Sequence, residues 1–427
     1  MNESSEVEAL CSALIRIDTS NPARAERPAA EYVATLLTEA GVEPVLLEAK
    51  PGRTNVVARI AGTNPARPAL LVHGHLDVVP ADAADWSVPP FSGEVDDEFV
   101  WGRGAVDMKG MDAMVLAVVR SWSRAGFRPE RDIVLAFLAD EETGSRLGSH
   151  WLVDHHADLF AGCTEAVGEV GGFSYSLGES VRLYPIMTAE KGTSWLRLTA
   201  RGTAGHGSMV SDNNPVATIC AAITRLAAHR FPVHLTDSVR GFLAAVSEAT
   251  GLPLGEQDLD ALRKVGSIAR VIDATVRNTA NPTVLTAGGA INVVPGCAEA
   301  LVDGRFLPGY EAEFHAELAE VLGPAIEAVS VSHDIAVQTT FDGPLVDAMC
   351  AALVAHDPAA IPVPYMMSGG TDAKAFDRLG IRCFGFSPLL LPADLDFSGL
   401  FHGVDERIPR SGLQFGERVL DRFLRTS

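Results

Sequence analysis

The sequence feature that most restricts the fold is a pair of short apolar stretches, PALLVHGHLDVV and DIVLAFLAD. In each of them, histidine or acidic residues follow the apolar run. Apolar runs of this length, rich in aliphatic residues, predict strands buried on both faces. Helical patterns such as EVEALCSALIRI and KGMDAMVLAVVRSWSRAG alternate with them from residue 5 to about 200. This alternation predicts an α/β fold, with a mostly parallel sheet and helices on both of its faces. Ligand crevices in such folds lie beyond the carboxyl ends of the strands, where the polar clusters stand.

A second pattern begins at about residue 191. SWLRLTARG, TVLTAGG and CAEALVDGRF predict strands, whereas NPVATICAAITRLAAHR and YEAEFHAELAEVLG predict helices. Their order is that of a smaller α+β domain of the split-βαβ type. We therefore expect residues 1–190 and 341–427 to form one domain in two parts, with residues 191–340 inserted between them. The segment 231–282 is long for a connection, and SVRGFLAAVSEATG within it predicts an extra helix.

The motif HGHLD offers the first candidate metal ligands. Along a strand, His73, His75 and Asp77 share a face and can point into one crevice. A histidine followed two residues later by a carboxylate is typical of a metal ligand with an orienting partner. A buried histidine hydrogen-bonded to a nearby aspartate is the alternative interpretation.

Further carboxylates follow in GRGAVDMKG, which contains Asp107, and in DEETG, which contains Asp140, Glu141 and Glu142. Asp107 alone is equally well interpreted as a helix N-cap. Three adjacent carboxylates repel one another unless a cation neutralises them, although a solvated acidic turn is an alternative. GEVGG adds Glu169 and FHGVDERI adds His402; two imidazoles and three carboxylates would form a mixed N/O site suited to zinc.

Eight motifs together resemble the zinc-dependent aminoacylase and carboxypeptidase family, which includes acetylornithine deacetylase, succinyl-diaminopimelate desuccinylase, aminoacylase and carboxypeptidase S. They are, in order, HGHLDVVP, GRGAVDMKG, DEETG, GEVGG, GTAGHGS, NVVP, SGGTDAK and FHGVDERI. The resemblance extends from about residue 70 to 410. It implies a metal-dependent amidohydrolase or metallopeptidase with two Zn²⁺ ions per chain, or Co²⁺ or Mn²⁺ in their place. The inserted domain would then be a lid and dimerisation domain.

The resemblance also implies a role for each candidate residue. One zinc would be bound by His75 and Glu169, the other by Glu142 and His402, and Asp107 would bridge the two ions. Asp77 would orient His75, while His73 would be a core residue. Glu141 would act as general base toward a metal-bridged water that attacks the amide carbonyl.

The remaining site predictions come from motifs of the inserted domain and from SGGTD in the second part of the larger domain. The resemblance implies that His206 reaches across a homodimer into the partner's active site and stabilises the oxyanion, although an exposed turn histidine is the alternative. Asn292 and Arg305 resemble groups that hold the substrate's carboxylate; a turn residue and a surface ion-pair partner are the alternatives. Gly369, Gly370 and Thr371 resemble a backbone cradle for the same group.

Composition and missing motifs restrict the function further. A net charge of -21 opposes binding to nucleic acid or anionic membranes. The acidic start MNESSEVEAL lacks a signal-peptide pattern, so we expect a cytoplasmic protein. No GxSxG nucleophile elbow or GxGxxG dinucleotide fingerprint is present. We predict a hydrolase for an N-acyl amino acid or small peptide; the alternatives are a dipeptidase or carboxypeptidase, an N-carbamoyl amidohydrolase and a non-catalytic binding protein of the same fold.

Overall fold

The computed structural model describes residues 5–177, 181–255 and 272–427. Its helices are α1 (Glu6–Ile15), α2 (Arg27–Glu39), α3 (Lys109–Ala125), α4 (Ser149–His155), α5 (Pro215–Ala228), α6 (Asp237–Thr250), α7 (Glu311–Leu322), α8 (Pro344–His356), α9 (Ala373–Asp377) and α10 (Arg410–Thr426). Its strands are β1 (Pro44–Lys50), β2 (Arg53–Ile60), β3 (Ala69–His75), β4 (Phe99–Trp101), β5 (Ile133–Leu138), β6 (Cys163–Gly168), β7 (Tyr175–Leu177), β8 (Val181–Glu190), β9 (Gly192–Arg201), β10 (Gly205–His206), β11 (Thr279–Ala287), β12 (Val293–Val294), β13 (Cys297–Phe306), β14 (Ile326–Asp334), β15 (Val337–Gln338), β16 (Ala360–Met367), β17 (Arg382–Gly385) and β18 (Arg407–Pro409).

A ten-stranded sheet forms the larger layer, in the order β1-β2-β5-β3-β6-β17-β8-β15, with β16 and β7 also paired to β8. The predicted α/β class is confirmed. Parallel pairing joins β5, β3, β6 and β17, and it joins β16 to β8. The outer strands β1, β2 and β15 are antiparallel to their neighbours, so the sheet is mixed rather than mostly parallel.

Helices cover both faces of this sheet, as its central strands require. All seven residues of β3 are buried. Leu70 and Val72 belong to a core shared with α1, α2, α3, α8 and α10, whereas Leu71 belongs to a core shared with α4 and α9. Adjacent side chains on a strand point to opposite faces, which is why this strand is apolar throughout rather than alternating.

The smaller layer is an antiparallel sheet in the order β11-β13-β9-β14. Strand β13 alternates between buried and half-buried residues because one face of the sheet packs against α5 and α7. Asn214 caps α5 by accepting a hydrogen bond from the Val216 N–H at 3.0 Å, and Pro215 occupies the first turn. The predicted order of strands and helices in this part of the chain is present.

Helix α6 confirms the extra helix predicted in the segment 231–282, but it packs away from the smaller sheet. Phe242 and Val246 share a core with Leu183 of β8 and Val363 of β16. The chain therefore returns to the larger sheet between α5 and β11. Residues 256–271 of this segment lie outside the described residues.

None of the helices in the described parts of the chain combines the length and hydrophobicity that a membrane span requires.

Candidate metal centre

Three neighbouring strands, β5, β3 and β6, bring the predicted ligands to one edge of the larger sheet. His75 is the last residue of β3, Glu169 follows β6, and Glu141 and Glu142 begin a 3₁₀ turn after β5. Because these strands are parallel neighbours, their carboxyl ends lie side by side. The adjacent ends of these strands therefore form the crevice that the two apolar stretches predicted.

Asp107 lies between two groups of potential ligand atoms. Its Oδ1 is 2.9 Å from Nε2 of His75, and that imidazole nitrogen is 3.6 Å from Oε2 of Glu169. Its Oδ2 is 3.3 Å from Nε2 of His402, which is 3.0 Å from Oε2 of Glu142. Each group of three residues has ligand atoms within 4.8 Å of one another. One carboxylate is thus shared by both groups.

The chemistry of this donor set fits a pair of divalent cations. Two imidazoles and carboxylate oxygens are the ligands that zinc, cobalt and manganese accept. Oε1 of Glu142 is buried and has no hydrogen-bond partner among the described residues. Leaving such an oxygen unsatisfied is costly, and a bound cation would compensate that cost.

The pKa values of the candidate ligands indicate that their ionisable groups interact strongly with one another. Hydrogen bonds with Asp107 and Glu142 raise the pKa of His402 to about 10. Burial raises the pKa of Glu169 to about 8. Burial opposes ionisation of Asp107, but hydrogen bonds with His402 and His75 hold its pKa well below the usual range. A centre that retains protons in this way would release them on binding cations.

Glu141 lies beside the two ligand groups and belongs to neither. Burial and the negative charge of Glu169 raise the pKa of Glu141 well above its ordinary value. Its backbone N–H donates to Oδ1 of Asp77 at 3.0 Å, and that of Glu142 donates to Oδ2 at 3.1 Å. The Asp77 carboxylate therefore fixes the turn that carries both glutamates.

Asp77 contacts His75 differently from the predicted carboxylate–imidazole pair. Nδ1 of His75 is 2.9 Å from the main-chain oxygen of Asp77 and 3.7 Å from its Oδ1. The carboxylate is occupied by the backbone N–H groups of the turn and by the side chain of Asn21 at 2.8 Å. The residue is adjacent as predicted, but its carbonyl makes the closer contact with the imidazole.

His73 precedes His75 by two residues on β3 and packs in the core instead of joining a ligand group. It is buried, its ring centroid is 5.0 Å from that of Phe376, and a side-chain carbon at Gly168 would lie 2.3 Å from the ring. Burial lowers the pKa of His73 to about 3, so the imidazole is neutral at physiological pH. Neither ligand group includes this histidine.

His206 and Asn292 lie on neighbouring segments of the chain and belong to neither ligand group. His206 pairs with Val293 in the short β10–β12 ladder, and the Gly207 N–H donates to the Asn292 carbonyl at 2.8 Å. Both residues are exposed, and Nδ1 of His206 contacts the Ser208 hydroxyl at 2.8 Å. Neither residue is a member of the two ligand groups.

Arg305 lies in the smaller sheet, and the predicted cradle lies in a loop that follows β16 of the larger sheet. Arg305 lies on β13, where it donates to Asp303 at 2.7 Å and to the Thr193 hydroxyl at 3.0 Å. Gly369, Gly370 and Thr371 form the loop between β16 and α9, and Thr371 is buried. They therefore flank the junction at which the chain crosses from β8 to β9.

Glu406 and Arg103 organise the centre and were not recognised from the sequence. Oε1 of Glu406 accepts from the N–H groups of Val106 (2.7 Å) and Asp107 (3.1 Å), and Oε2 accepts from Arg103 at 2.6 Å. Arg103 also donates to the main-chain oxygen of His402 at 3.2 Å. The sequence signal that could have identified this pair is the opposite charge of Arg103 in GRGAVD and Glu406 in FHGVDERI. Each of these motifs also contains a candidate metal ligand.

The backbone near the ligands is held in unusual conformations. Asp140, Val170 and His402 adopt positive φ angles of 71°, 61° and 57°. Left-handed conformations are disfavoured for residues with a side chain and persist where the surrounding structure enforces them. His402 is a candidate ligand, Val170 adjoins the candidate ligand Glu169, and Asp140 precedes the turn that carries Glu141 and Glu142, so the site has local strain as well as concentrated charge.

A histidine and carboxylate cluster at the carboxyl edge of an α/β sheet is the arrangement of a metal-dependent hydrolase. The sequence profile of Peptidase family M20/M25/M40 matches residues 71–426. The chain therefore belongs to this family, and it is a hydrolase of the amidohydrolase and peptidase class.

Individual relatives are distant but cover most of the chain. Probable carboxypeptidase S-like 2 of Dictyostelium discoideum is 27% identical over 363 residues, 79% of this chain and 68% of that protein. Aminoacylase-1 of Sus scrofa is 27% identical over 404 residues, 92% and 88% of the two chains.

Solved structures share the fold. The M20 family metallo-carboxypeptidase Sso-CP2 of Sulfolobus solfataricus has a TM-score of 0.75 at 19% identity, with 99% of each chain covered. The YXEP protein of Bacillus subtilis, described as a dinuclear metal-binding peptidase, has a TM-score of 0.63 at 14% identity, with 98% of this chain and 96% of that chain covered.

Proposed function

We propose that this protein uses two zinc ions to hydrolyse the amide bond of an N-acyl amino acid or small peptide. The observation that carries the proposal is the position of Asp107, whose two carboxylate oxygens face two separate groups of ligand atoms. His75 and Glu169 would bind one ion, Glu142 and His402 the other, and Asp107 would bridge them. Cobalt or manganese could replace zinc with the same donor set.

Glu141 is the proposed general base. Bound divalent ions would supply Lewis acidity, which makes water nucleophilic near neutral pH and polarises an amide carbonyl. Glu141 would accept the proton of the attacking water and deliver it to the leaving amine. Its position on the Asp77-bound turn, next to Glu142 but outside both ligand groups, supports this role.

The substrate's carboxylate would be held between the two sheets. Arg305 supplies a fixed cation, and the loop Gly369–Thr371 supplies backbone N–H groups of the kind that form anion-binding nests. Asn292 would contribute from its exposed hairpin. The smaller sheet and its helices within residues 191–340 would then act as a lid over a catalytic domain formed by residues 1–190 and 341–427, whereas α6 and β15 of the inserted segment pack on the larger sheet.

A homodimer through the lid would complete the oxyanion site. His206 is exposed in a single chain, and large apolar side chains surround it: Val210 is 94% exposed, Met209 70% and Val293 49%. Ile291, beside Asn292, is fully exposed. An apolar patch around a polar catalytic candidate is typical of a protein interface. The partner's copy of His206 would therefore stabilise the oxyanion.

A substrate screen tests this proposal and separates it from its alternatives. Purified protein with added zinc, cobalt or manganese would be assayed on N-acetyl, N-succinyl and N-carbamoyl amino acids and on dipeptides. Preference for the N-acyl compounds would support the proposal; preference for dipeptides or N-carbamoyl compounds would favour a peptidase or a carbamoyl amidohydrolase. Failure to cleave any amide with two ions bound would contradict catalysis. A cytoplasmic location stays a prediction.

A further inference from the structure

A buried lysine ammonium lies directly beneath the proposed cradle. Lys374 is 2% exposed, and its Nζ is so close to Gly370 that a side-chain carbon there would lie 2.5 Å from it. The ammonium donates to the main-chain oxygen of Lys191 at 2.8 Å and lies 3.5 Å from the hydroxyl oxygen of Thr193. It thus connects the cradle to the chain segment that joins the two sheets.

Thr193 brings this lysine and Arg305 to one oxygen atom. Thr193 and Arg305 lie directly opposite each other on β9 and β13, and Arg305 Nη1 is 3.0 Å from the same hydroxyl oxygen. A hydroxyl oxygen has two lone pairs and can accept from both cations. The Thr193 hydroxyl therefore joins a cation from the larger-sheet side to a cation of the smaller sheet.

The cations at this junction are balanced only at long range. In the parts of the chain that the structure describes, no carboxylate lies within 4.0 Å of Lys374 Nζ, although the buried carboxylate of Glu190 interacts with it electrostatically, whereas Arg305 is paired with Asp303. Lys191 is also buried, and its Nζ contacts the Thr279 hydroxyl at 3.4 Å rather than a carboxylate. A buried cation without a close ion-pair partner is costly, so an anionic group bound beside Lys374 would be stabilised.

We propose that Thr193 and Lys374 are positioning residues for the substrate's carboxylate: Lys374 supports the cradle, and the Thr193 hydroxyl holds Arg305 in register with it. This inference rests on the proposed function, because it assigns the anion to the substrate of the same site. It predicts a preference for substrates with a free carboxylate over their uncharged amides. It also predicts that this preference depends on one hydroxyl group.

The test compares Thr193→Val with Thr193→Ser, and Thr199→Val is the matched control. Thr199 is also buried on β9 and also faces its β13 partner, Glu299, at 3.5 Å, but it lies toward the other end of the strand. KM is measured for the N-acyl amino acid that wild type cleaves best, and the inhibition constant is measured for its C-terminal carboxamide. Metal content is determined for every variant.

We expect Thr193→Val to raise KM for the acid about tenfold, the effect of weakening one charge-assisted hydrogen bond, with little change in kcat. The inhibition constant of the carboxamide should not change, and Thr193→Ser and Thr199→Val should resemble wild type. The Lys374→Met variant should also lose the preference for the acid. If Lys374→Met does not fold, the Thr193→Val variant still tests the inference.

An unchanged KM, or equal weakening of acid and carboxamide binding by Thr193→Val, would overturn the inference. The proposed function would survive either result if wild type binds two metal ions and hydrolyses amides. Absence of metal binding or hydrolysis in wild type would instead refute the proposed function, and the inference would fail with it.

Discussion

Nε2 of His402 lies 3.0 Å from Oε2 of Glu142, although one residue follows strand β5 and the other lies in a loop near the carboxyl end of the chain. The second ligand group therefore depends on a loop outside the larger sheet, which leads into β18. Arg103, which donates to the His402 carbonyl at 3.2 Å and to Glu406 at 2.6 Å, holds this loop in place. Metal binding and the packing of the carboxyl-terminal loop should thus be linked.

Replacing Glu141 with Gln should separate chemistry from metal binding. The variant keeps the shape of the side chain but cannot accept a proton, so kcat should fall by about 10²- to 10⁴-fold. Metal content, measured by mass spectrometry, should stay at the wild-type value because Glu141 belongs to neither ligand group. The exposed Glu43→Gln variant is the control, and wild-type turnover by Glu141→Gln would reject its role as base.

Replacing Glu406 with Gln should destabilise the fold. Glu406 and Arg103 are both buried, and breaking a buried ion pair typically costs about 3 to 5 kcal/mol. The exposed pair of Glu130 and Arg67, at 2.9 Å, provides the control, because Glu130→Gln should cost about 1 kcal/mol or less. Urea unfolding of the metal-free proteins measures both values. Equal, small effects would show that Glu406 does not hold the loop.

Asp112 should make stability depend on pH. It is buried against Gly74, and burial raises its pKa to about 8. The folded protein therefore keeps a proton that the unfolded chain loses above pH ~4, so this residue lowers stability as pH rises from about 4 to 8, by at most about 1.4 kcal/mol per pH unit.

The Asp112→Asn variant removes this contribution and should gain stability relative to wild type as pH increases from 5 to 8. Urea unfolding with a chelator present measures the difference, with the exposed Asp97→Asn variant as control. A pH-independent difference between Asp112→Asn and wild type would contradict the assignment.

His206 should act in the partner's active site. His206→Ala and Glu141→Ala should each be inactive alone, but their mixture should regain activity, because a hybrid dimer combines one subunit's Glu141 with the partner subunit's His206. Size-exclusion chromatography and subunit exchange of labelled chains provide the control. Demonstrated exchange without restored activity would argue against an intersubunit site.

Sequence patterns predicted the parts of the site that depend on local structure. The apolar runs of β3 and β5 predicted strands, and the polar residues that follow them lie at one edge because parallel strands end together. The packing of α6 on β8 and β16 was not predicted, because an amphipathic helix does not specify the sheet that it covers. Glu406 was missed for a similar reason: its partners Arg103 and Asp107 are about 300 positions away.

We propose that five side chains hold two metal ions, one on either side of Asp107. Anomalous X-ray diffraction from crystals of the zinc-loaded protein, recorded at the zinc absorption edge, tests it most directly. We predict two peaks in each chain, one contacting His75 and Glu169 and the other contacting Glu142 and His402, with Asp107 contacting both. A single peak, or peaks that Asp107 does not contact, would contradict the claim.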